Sequence, residues 1–170
     1  MVISTFKDKL FLLCGVLGSY ILLFGLGQTP AQLYYVVGSA LLLLTAIHYK
    51  LIYFIALEMI LIAGHGATLL QIGSMLQLAL PILLTVQLLT FYFLSGRLNN
   101  LFLIIGITGI AVLSTGFTYE NQWIFFLGSS AIAIYAFYCF YRGKTIALLW
   151  ALLNSLFALI SIFKLIYSTG

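Results

Sequence analysis

Apolar stretches of roughly 20 residues follow one another along the chain, with only short polar connections between them. A helix needs about 20 apolar residues to cross a bilayer. Polar and turn-forming residues place the predicted helices at residues 9–27, 31–49, 51–70, 76–95, 100–118, 122–141 and 145–167. The pattern therefore predicts an all-α polytopic membrane protein, with seven transmembrane helices in one transmembrane domain over residues 1–170.

Composition and charge agree with a membrane location. The chain is 64% hydrophobic and 6% charged, more apolar than a soluble domain of this length can bury. With seven crossings, one side of the membrane receives six of the seven basic residues: Lys7, Lys9, Lys50, Arg97, Arg142 and Lys144. The positive-inside rule then places the N-terminus in the cytoplasm and the C-terminus outside. Lys164, the exception, lies near the outer end of the last helix, where it can snorkel to the surface.

The distribution of basic residues also indicates which partners and which location to expect. The net charge of +4 is explained by the topology and requires no nucleic-acid partner. We expect an integral membrane protein of a bacterial inner (cytoplasmic) membrane.

The first and fifth predicted helices share a glycine pattern. Three glycines recur 91 residues later and a Gly-Ser pair of the next helix recurs after 90: Gly15, Gly18, Gly25 and Gly38-Ser39 align with Gly106, Gly109, Gly116 and Gly128-Ser129. Because the first and fifth helices cross in the same direction, the two units would be parallel repeats about an axis along the membrane normal. We predict a 3+1+3 arrangement, with repeat one over residues 9–70, a linker helix at 76–95 and repeat two over 100–167.

The second unit reads WIFFLGSSAIAIYAFYCF, a basic turn, and then TIALLWALLNSLFALISIFKLIY, with Asn154 partway along its last helix. Parallel three-helix units in so short a chain resemble the SWEET, SemiSWEET and PQ-loop transporters. In that family an asparagine of this kind from each unit flanks a central sugar site. The resemblance therefore implies that Asn154 binds substrate.

Glu58 lies partway along the third predicted helix, where a carboxyl costs about 2.5–3.5 kcal/mol on insertion scales. Such a residue faces a partner, a cavity or a moving proton. Counted at about 1.5 Å per residue, Glu58 and Asn154 lie at similar depth and face each other if the repeats are equivalent. A shift of 91 pairs Glu58 with Leu149, however, and only a longer connection before the last helix brings Asn154 into register.

His65 follows Glu58 by seven residues, so the two share a helix face about 10 Å apart. A carboxyl and an imidazole on one face can pass protons along a cavity. Gln87 on the linker helix completes the candidate substrate-binding set of Glu58, Asn154, His65 and Gln87. The alternative for each is structural: Glu58 and Asn154 as hydrogen bonds between helices, and His65 as a neutral ring bonded to a carbonyl.

No motif predicts a catalytic site, a metal site or a cofactor. His48 and His65 are about 21 Å apart along the bundle, too far to ligate one haem. We expect a transporter or facilitator for a small polar solute, proton-linked through Glu58, whose partners are the bilayer, the solute and, in a homo-oligomer, further copies of the chain. Two alternatives stay open: an accessory or assembly membrane subunit without transport activity, and an intramembrane lipid-modifying enzyme built on Glu58 and His65.

Overall fold

The computed structural model describes residues 5–119 and 121–168, and within these ranges the chain is helical without β-strands. The seven α-helices of this part are α1 (Phe6–Gly25), α2 (Ala31–His48), α3 (Ile52–Leu69), α4 (Ser74–Leu94), α5 (Leu101–Tyr119), α6 (Gln122–Tyr141) and α7 (Leu148–Ser168). A short 3-10 turn, Thr145–Ala147, leads into α7. The predicted helices are thus present. The largest differences are at two starts: α1 was predicted to begin at residue 9 and begins at Phe6, and α7 was predicted to begin at residue 145 and begins at Leu148.

Six of these helices are long and apolar enough to cross a membrane. The fifth helix contributes a shorter apolar stretch, Leu101–Phe117. Many large apolar side chains on the helices are exposed, as expected for surfaces that face lipid rather than water. The all-helical class is therefore confirmed, and six helices have the length and apolar composition expected of an integral membrane protein.

Two compact units make up the chain, the first ending at Gln77 and the second beginning at Leu78. The division falls inside α4, the helix predicted as a linker. In the first unit α2 packs against both α1 and α3, and in the second unit α6 packs against both α5 and α7. Each unit therefore contains three helices of which the second contacts both others, and most of α4 belongs to the second unit.

Glycines set the distance between α1 and α2. A Cβ added to Gly18 would stand 2.7 Å from the carbonyl oxygen of Gly38, and one added to Gly38 would stand 2.6 Å from Cγ of Leu22. Near the other end of α1, a Cβ on Gly25 would stand 2.6 Å from Cβ of Tyr34. No side chain fits at these positions, so the two backbones approach as closely as small residues in membrane helices permit.

The same contacts recur between α5 and α6. A Cβ on Gly109 would stand 3.1 Å from the carbonyl oxygen of Gly128, one on Gly128 would stand 2.8 Å from Cβ of Leu113, and one on Gly116 would stand 3.3 Å from Cγ2 of Ile124. These partners are the first-unit residues displaced by 91 positions in the first helix and by 90 in the second. The α5–α6 contact therefore reproduces the α1–α2 contact at several equivalent positions.

Aromatic rings mark the opposite end of each helix pair. The rings of Phe11 and His48 stack with centroids 4.1 Å apart, and those of Phe102 and Tyr138, at the equivalent positions, stack 4.6 Å apart. Since the start of the first helix meets the end of the second in both cases, each pair is antiparallel.

A tight reversal follows the second helix of each unit. Lys50 and Gly143 adopt positive φ angles of 54° and 86°, the left-handed conformation that often ends helices. After each reversal a backbone N–H returns to the helix that precedes it, from Leu51 to Ala46 and from Lys144 to Cys139. The second reversal comes 93 residues after the first, so α6 extends about one turn beyond the point where α2 ends.

Candidate functional site

Glu58 is enclosed partway along α3. Only 1% of its surface is exposed, and its helix neighbour Leu57 and Leu61, three residues on, are buried as well. The helix is apolar enough to cross a membrane, so this carboxyl lies within an otherwise hydrocarbon-like segment. Charged side chains in such segments almost always face the interior of a bundle or a cavity, and they commonly mark the path of an ion or a proton.

His65 shares the buried face of Glu58 on α3. Its imidazole is 3% exposed, and its ring centroid lies 4.9 Å from that of Tyr35 on α2. A separation of seven residues corresponds to two helical turns, which brings the two side chains onto one face about 10 Å apart along the axis. The ring of His65 contacts Tyr35 on α2. The face that Glu58 and His65 share is therefore the side of α3 next to α2.

Ser39 on α2 is a further buried polar residue beside this face. Its surface is 0% exposed, and it lies one turn after Tyr35, the residue whose ring contacts His65. In the sequence, Ser39 is recognisable only as a member of the repeat. Its position directly after Gly38, at the closest approach of two helices, was the signal that this hydroxyl would be enclosed.

Asn154 belongs to the second unit and is buried there on α7. Its Nδ2 donates a hydrogen bond of 2.9 Å to the carbonyl oxygen of Trp150, one turn earlier on the same helix. The amide is thus held against its own backbone. The carboxamide oxygen is the atom with which Asn154 would accept a hydrogen bond from a solute or a neighbour.

Asn154 and Glu58 occupy corresponding positions along the third helix of their units, measured against the second helix of the same unit. Glu58 follows the reversal at Lys50 by as many residues as Leu42 precedes it, so these two side chains lie opposite each other on antiparallel helices. By the same count about Gly143, Asn154 lies opposite Ile132, the repeat equivalent of Leu42. A constant shift of 91 residues pairs Glu58 with Leu149. The extra turn at the end of α6 is what brings Asn154 to the position that corresponds to Glu58.

Each third helix carries a pair of buried polar residues seven positions apart. In α3 these are Glu58 and His65, and in α7 they are Asn154 and Ser161. The second helix of each unit adds a buried serine, Ser39 or Ser129. The two units therefore share these three buried polar positions, and the two on the third helix are ionisable in the first unit and neutral in the second.

Gln87 lies in a different environment. It is on an exposed part of α4, whereas the neighbouring positions Thr85, Leu88 and Tyr92 are buried. Spacing along a helix does not specify which face is covered, so the exposed and buried sides of α4 cannot be distinguished from the sequence. Its role in substrate binding stays a prediction.

A second polar cluster, not predicted from the sequence, joins the start of α1 to the end of α2. Asp8 and Thr5 form a capping box, with backbone–side chain hydrogen bonds of 3.1 and 3.2 Å. Oδ1 of Asp8 lies 2.9 Å from Nε2 of His48, and the hydroxyl of Tyr49 donates to the Asp8 carbonyl oxygen at 2.8 Å. Burial, and secondly the charge of Asp8, raise the pKa of Tyr49.

Part of this cluster was visible in the sequence. Thr5-x-x-Asp8 is the spacing of a capping box, which predicts the start of a helix. The contacts with His48 and Tyr49 depend on the register of two antiparallel helices, which local patterns do not encode. The cluster ties the two ends of the α1–α2 pair together.

Within the described residues, no group of three His, Cys, Asp or Glu side chains could hold a metal ion. No known protein family, curated protein or solved structure matches the chain.

Proposed function

We propose that the chain is a transporter or facilitator for a small polar solute in a bacterial inner (cytoplasmic) membrane, and that Glu58 carries the coupled proton. The observation that supports this most is the enclosure of Glu58, 1% exposed, in a helix apolar enough to cross a membrane. A carboxyl at such a position costs about 2.5–3.5 kcal/mol on insertion scales. The second unit has the buried, neutral Asn154 at the corresponding level, so packing of these helices does not in itself require a carboxyl.

The proposed chemistry follows from the two states of a carboxyl. Enclosed among apolar side chains, Glu58 is neutral and its hydroxyl proton donates a hydrogen bond. When the site opens to water, the carboxylate is hydrated and the proton leaves. A bundle that exposes Glu58 first to one side of the membrane and then to the other would link solute movement to proton movement. His65, on the same face, is the second group able to hold the proton.

The parallel-repeat arrangement and the orientation belong to this proposal. The recurrence of the α1–α2 contacts between α5 and α6 supports two equivalent units. In each unit, exposed basic residues gather at the end where the first helix starts and the second ends: Lys7, Lys9 and Lys50 in one, and Arg97, Arg142 and Lys144 in the other. This supports the cytoplasmic placement of those ends. The resemblance to SWEET-type transporters makes a sugar the first solute to test.

A second candidate is an accessory membrane subunit without a transport path. The same enclosure of Glu58 favours it, because a carboxyl with 1% exposure also suits a permanent hydrogen bond inside the bundle. The two candidates differ in one respect. A transport site has to reach water during its cycle, whereas a structural carboxyl does not.

Reconstituted vesicles test the proposal. The purified chain is placed in liposomes with an imposed proton gradient, and uptake of labelled monosaccharides, disaccharides, polyols and amino acids is compared with empty liposomes. We expect uptake of at least one solute, accompanied by movement of protons. If the chain supports no flux of any of these solutes in either direction, the accessory role replaces the transport proposal.

A further inference from the structure

Gln87 is an exposed carboxamide within α4, a helix apolar enough to cross a membrane. It lies seven residues before Leu94, the last residue of the helix, and thus about 10 Å inside the span. Thr85 and Thr90 on the same helix donate to carbonyl oxygens one turn earlier, at 2.8 and 2.9 Å. Gln87 has no hydrogen-bond partner among the described residues. Because a carboxamide without a partner is unfavourable in hydrocarbon, we expect a partner from another molecule.

The exposed face of α4 carries a heptad pattern around Gln87. Residues at alternating spacings of three and four form one stripe along the helix: Leu80, Leu83, Gln87, Thr90 and Leu94. Leu83 is 61% exposed and Leu94 78%, and only Leu80 is half-buried. Two helices interlock through this spacing in a left-handed coiled coil, a geometry common among membrane helices. A single polar residue within such a stripe fixes the register of the pair.

The opposite face of α4 is the one that packs within the chain. Pro81, Thr85, Leu88 and Tyr92 are buried on that side. Among the described residues, the extensive contacts between helices join α2 to α1 and α3, and α6 to α5 and α7, and α4 takes no part in them. The stripe that contains Gln87 is therefore available to a helix of another molecule.

A second copy of the chain is the partner that this stripe fits. Copies inserted in one membrane have the same orientation, so their α4 helices run parallel about a two-fold axis along the membrane normal. In such a pair each residue of the stripe meets its own counterpart at the same depth. A glutamine carboxamide has an acceptor oxygen and a donor NH2 group, so two of them can bond to each other reciprocally. The identical sequence thus supplies the required polar group at the required depth.

We propose that the chain forms a parallel homodimer through the exposed stripe of α4, with the two Gln87 side chains hydrogen-bonded across the two-fold axis. The leucines of the stripe supply the packing, and the amides fix the register. The proposal does not depend on transport. It assigns Gln87 to an interface between copies rather than to the solute.

Gln87→Leu in the full chain tests the contact between the amides. Dimerisation is measured by energy transfer between labelled copies in liposomes, over a series of protein-to-lipid ratios. We expect Gln87→Leu to raise the dimer dissociation constant about three- to thirtyfold, the effect of one or two hydrogen bonds between membrane helices. The melting temperature of the variant at high dilution in detergent should not fall, because leucine suits a lipid-facing surface better than glutamine.

Cysteine cross-linking tests which face forms the interface. Leu83→Cys keeps Gln87 and places a thiol in the stripe one turn away, whereas Ile134→Cys, the control, places one at an exposed position near the middle of α6. Oxidation of the membranes should link two copies of Leu83→Cys. It should not link copies of Ile134→Cys or of the wild type, which has Cys14 and Cys139.

Four results would overturn the dimer. The first is a wild type that is monomeric at every protein-to-lipid ratio, and the second is a dissociation constant that Gln87→Leu leaves unchanged. The third is equal cross-linking of Leu83→Cys and Ile134→Cys, which indicates random collision. The fourth is a loss of solute flux in Gln87→Leu with unchanged dimerisation, which would assign Gln87 to the solute path. Dimerisation of a chain without solute flux supports the interface and rejects transport, so the two proposals fail separately.

Discussion

Gly18 and Gly38 lie so close that a Cβ on Gly18 would stand 2.7 Å from the Gly38 carbonyl oxygen. Real side chains essentially never come this near a backbone atom, so the α1–α2 distance depends on the absence of a side chain at this point. The equivalent pair, Gly109 and Gly128, is slightly further apart at 3.1 Å. The two contacts therefore make a graded prediction.

Gly18→Ala should destabilise the chain by about 1–3 kcal/mol, because the backbones have to separate to admit the methyl group. Gly109→Ala should cost less. Gly66→Ala is the control: nothing lies within 4 Å of a Cβ there, so the change should be neutral or slightly stabilising. Thermal unfolding in one detergent compares the three variants. Equal stability of Gly18→Ala and Gly66→Ala would contradict the close contact.

His48→Phe tests the polar cluster at the ends of α1 and α2. The new ring keeps the stack on Phe11 but loses the 2.9 Å contact with Asp8. We expect a loss of about 1–2 kcal/mol, since a buried or half-buried hydrogen bond to a charged group is removed. Tyr138→Phe is the control, because its ring stacks on Phe102 in the same way and should be tolerated. A wild-type melting temperature for His48→Phe would show that Asp8 does not need this partner.

Tyr49→Phe should show a stability difference that depends on pH. The variant loses the 2.8 Å hydrogen bond to the Asp8 carbonyl oxygen, worth about 1 kcal/mol at neutral pH. Burial and the charge of Asp8 raise the pKa of Tyr49 in the folded chain above its ordinary value of 10.0. The stabilisation is therefore fully present below pH 10.0 and is lost as the pH rises through the raised pKa. Denaturation of both proteins across this range checks it. A difference that grew at high pH would have the wrong sign.

The predicted orientation is tested with reporters at the two ends. Basic residues at one end of each unit support a cytoplasmic N-terminus and an external C-terminus. A reporter that works only in the cytoplasm should be active at the N-terminus and inactive at the C-terminus. Activity at both ends would mean an even number of crossings, and the short α5 stretch, Leu101–Phe117, would be the first candidate for a helix that does not span.

Helix positions and glycine contacts were accessible from the sequence because they depend on local pattern. Apolar runs and turn residues placed every helix, and the recurring glycines identified which positions of α1 and α5 would pack closely. The enclosure of Glu58 and His65 followed from their place in an apolar helix. These features need only the periodicity of one helix and the chemistry of a bilayer.

Other features needed the relative register of two helices. The contact of Asp8 with His48 spans 40 residues, and nothing near either residue indicates it. Ser39 lies on α2 near Gly38, which packs against α1, and near Tyr35, whose ring contacts His65 on α3. Its surroundings therefore depend on the packing of three helices. The match in level between Glu58 and Asn154 depends on the extra turn at the end of α6. Gln87 was placed in the site by polarity alone, and its exposure on α4 was not encoded in the spacing.

The central claim is that Glu58 carries a proton during transport, and one measurement on Glu58→Gln addresses it most directly. Glutamine keeps the shape and can hydrogen-bond, but it cannot release a proton. In one reconstituted preparation, we expect Glu58→Gln to retain the wild-type melting temperature while its solute flux loses dependence on the proton gradient. Glu58→Leu, measured alongside, should lose both stability and flux. Wild-type flux with unchanged pH dependence in Glu58→Gln, together with a lower melting temperature in Glu58→Leu, would contradict the claim and assign Glu58 a purely structural role.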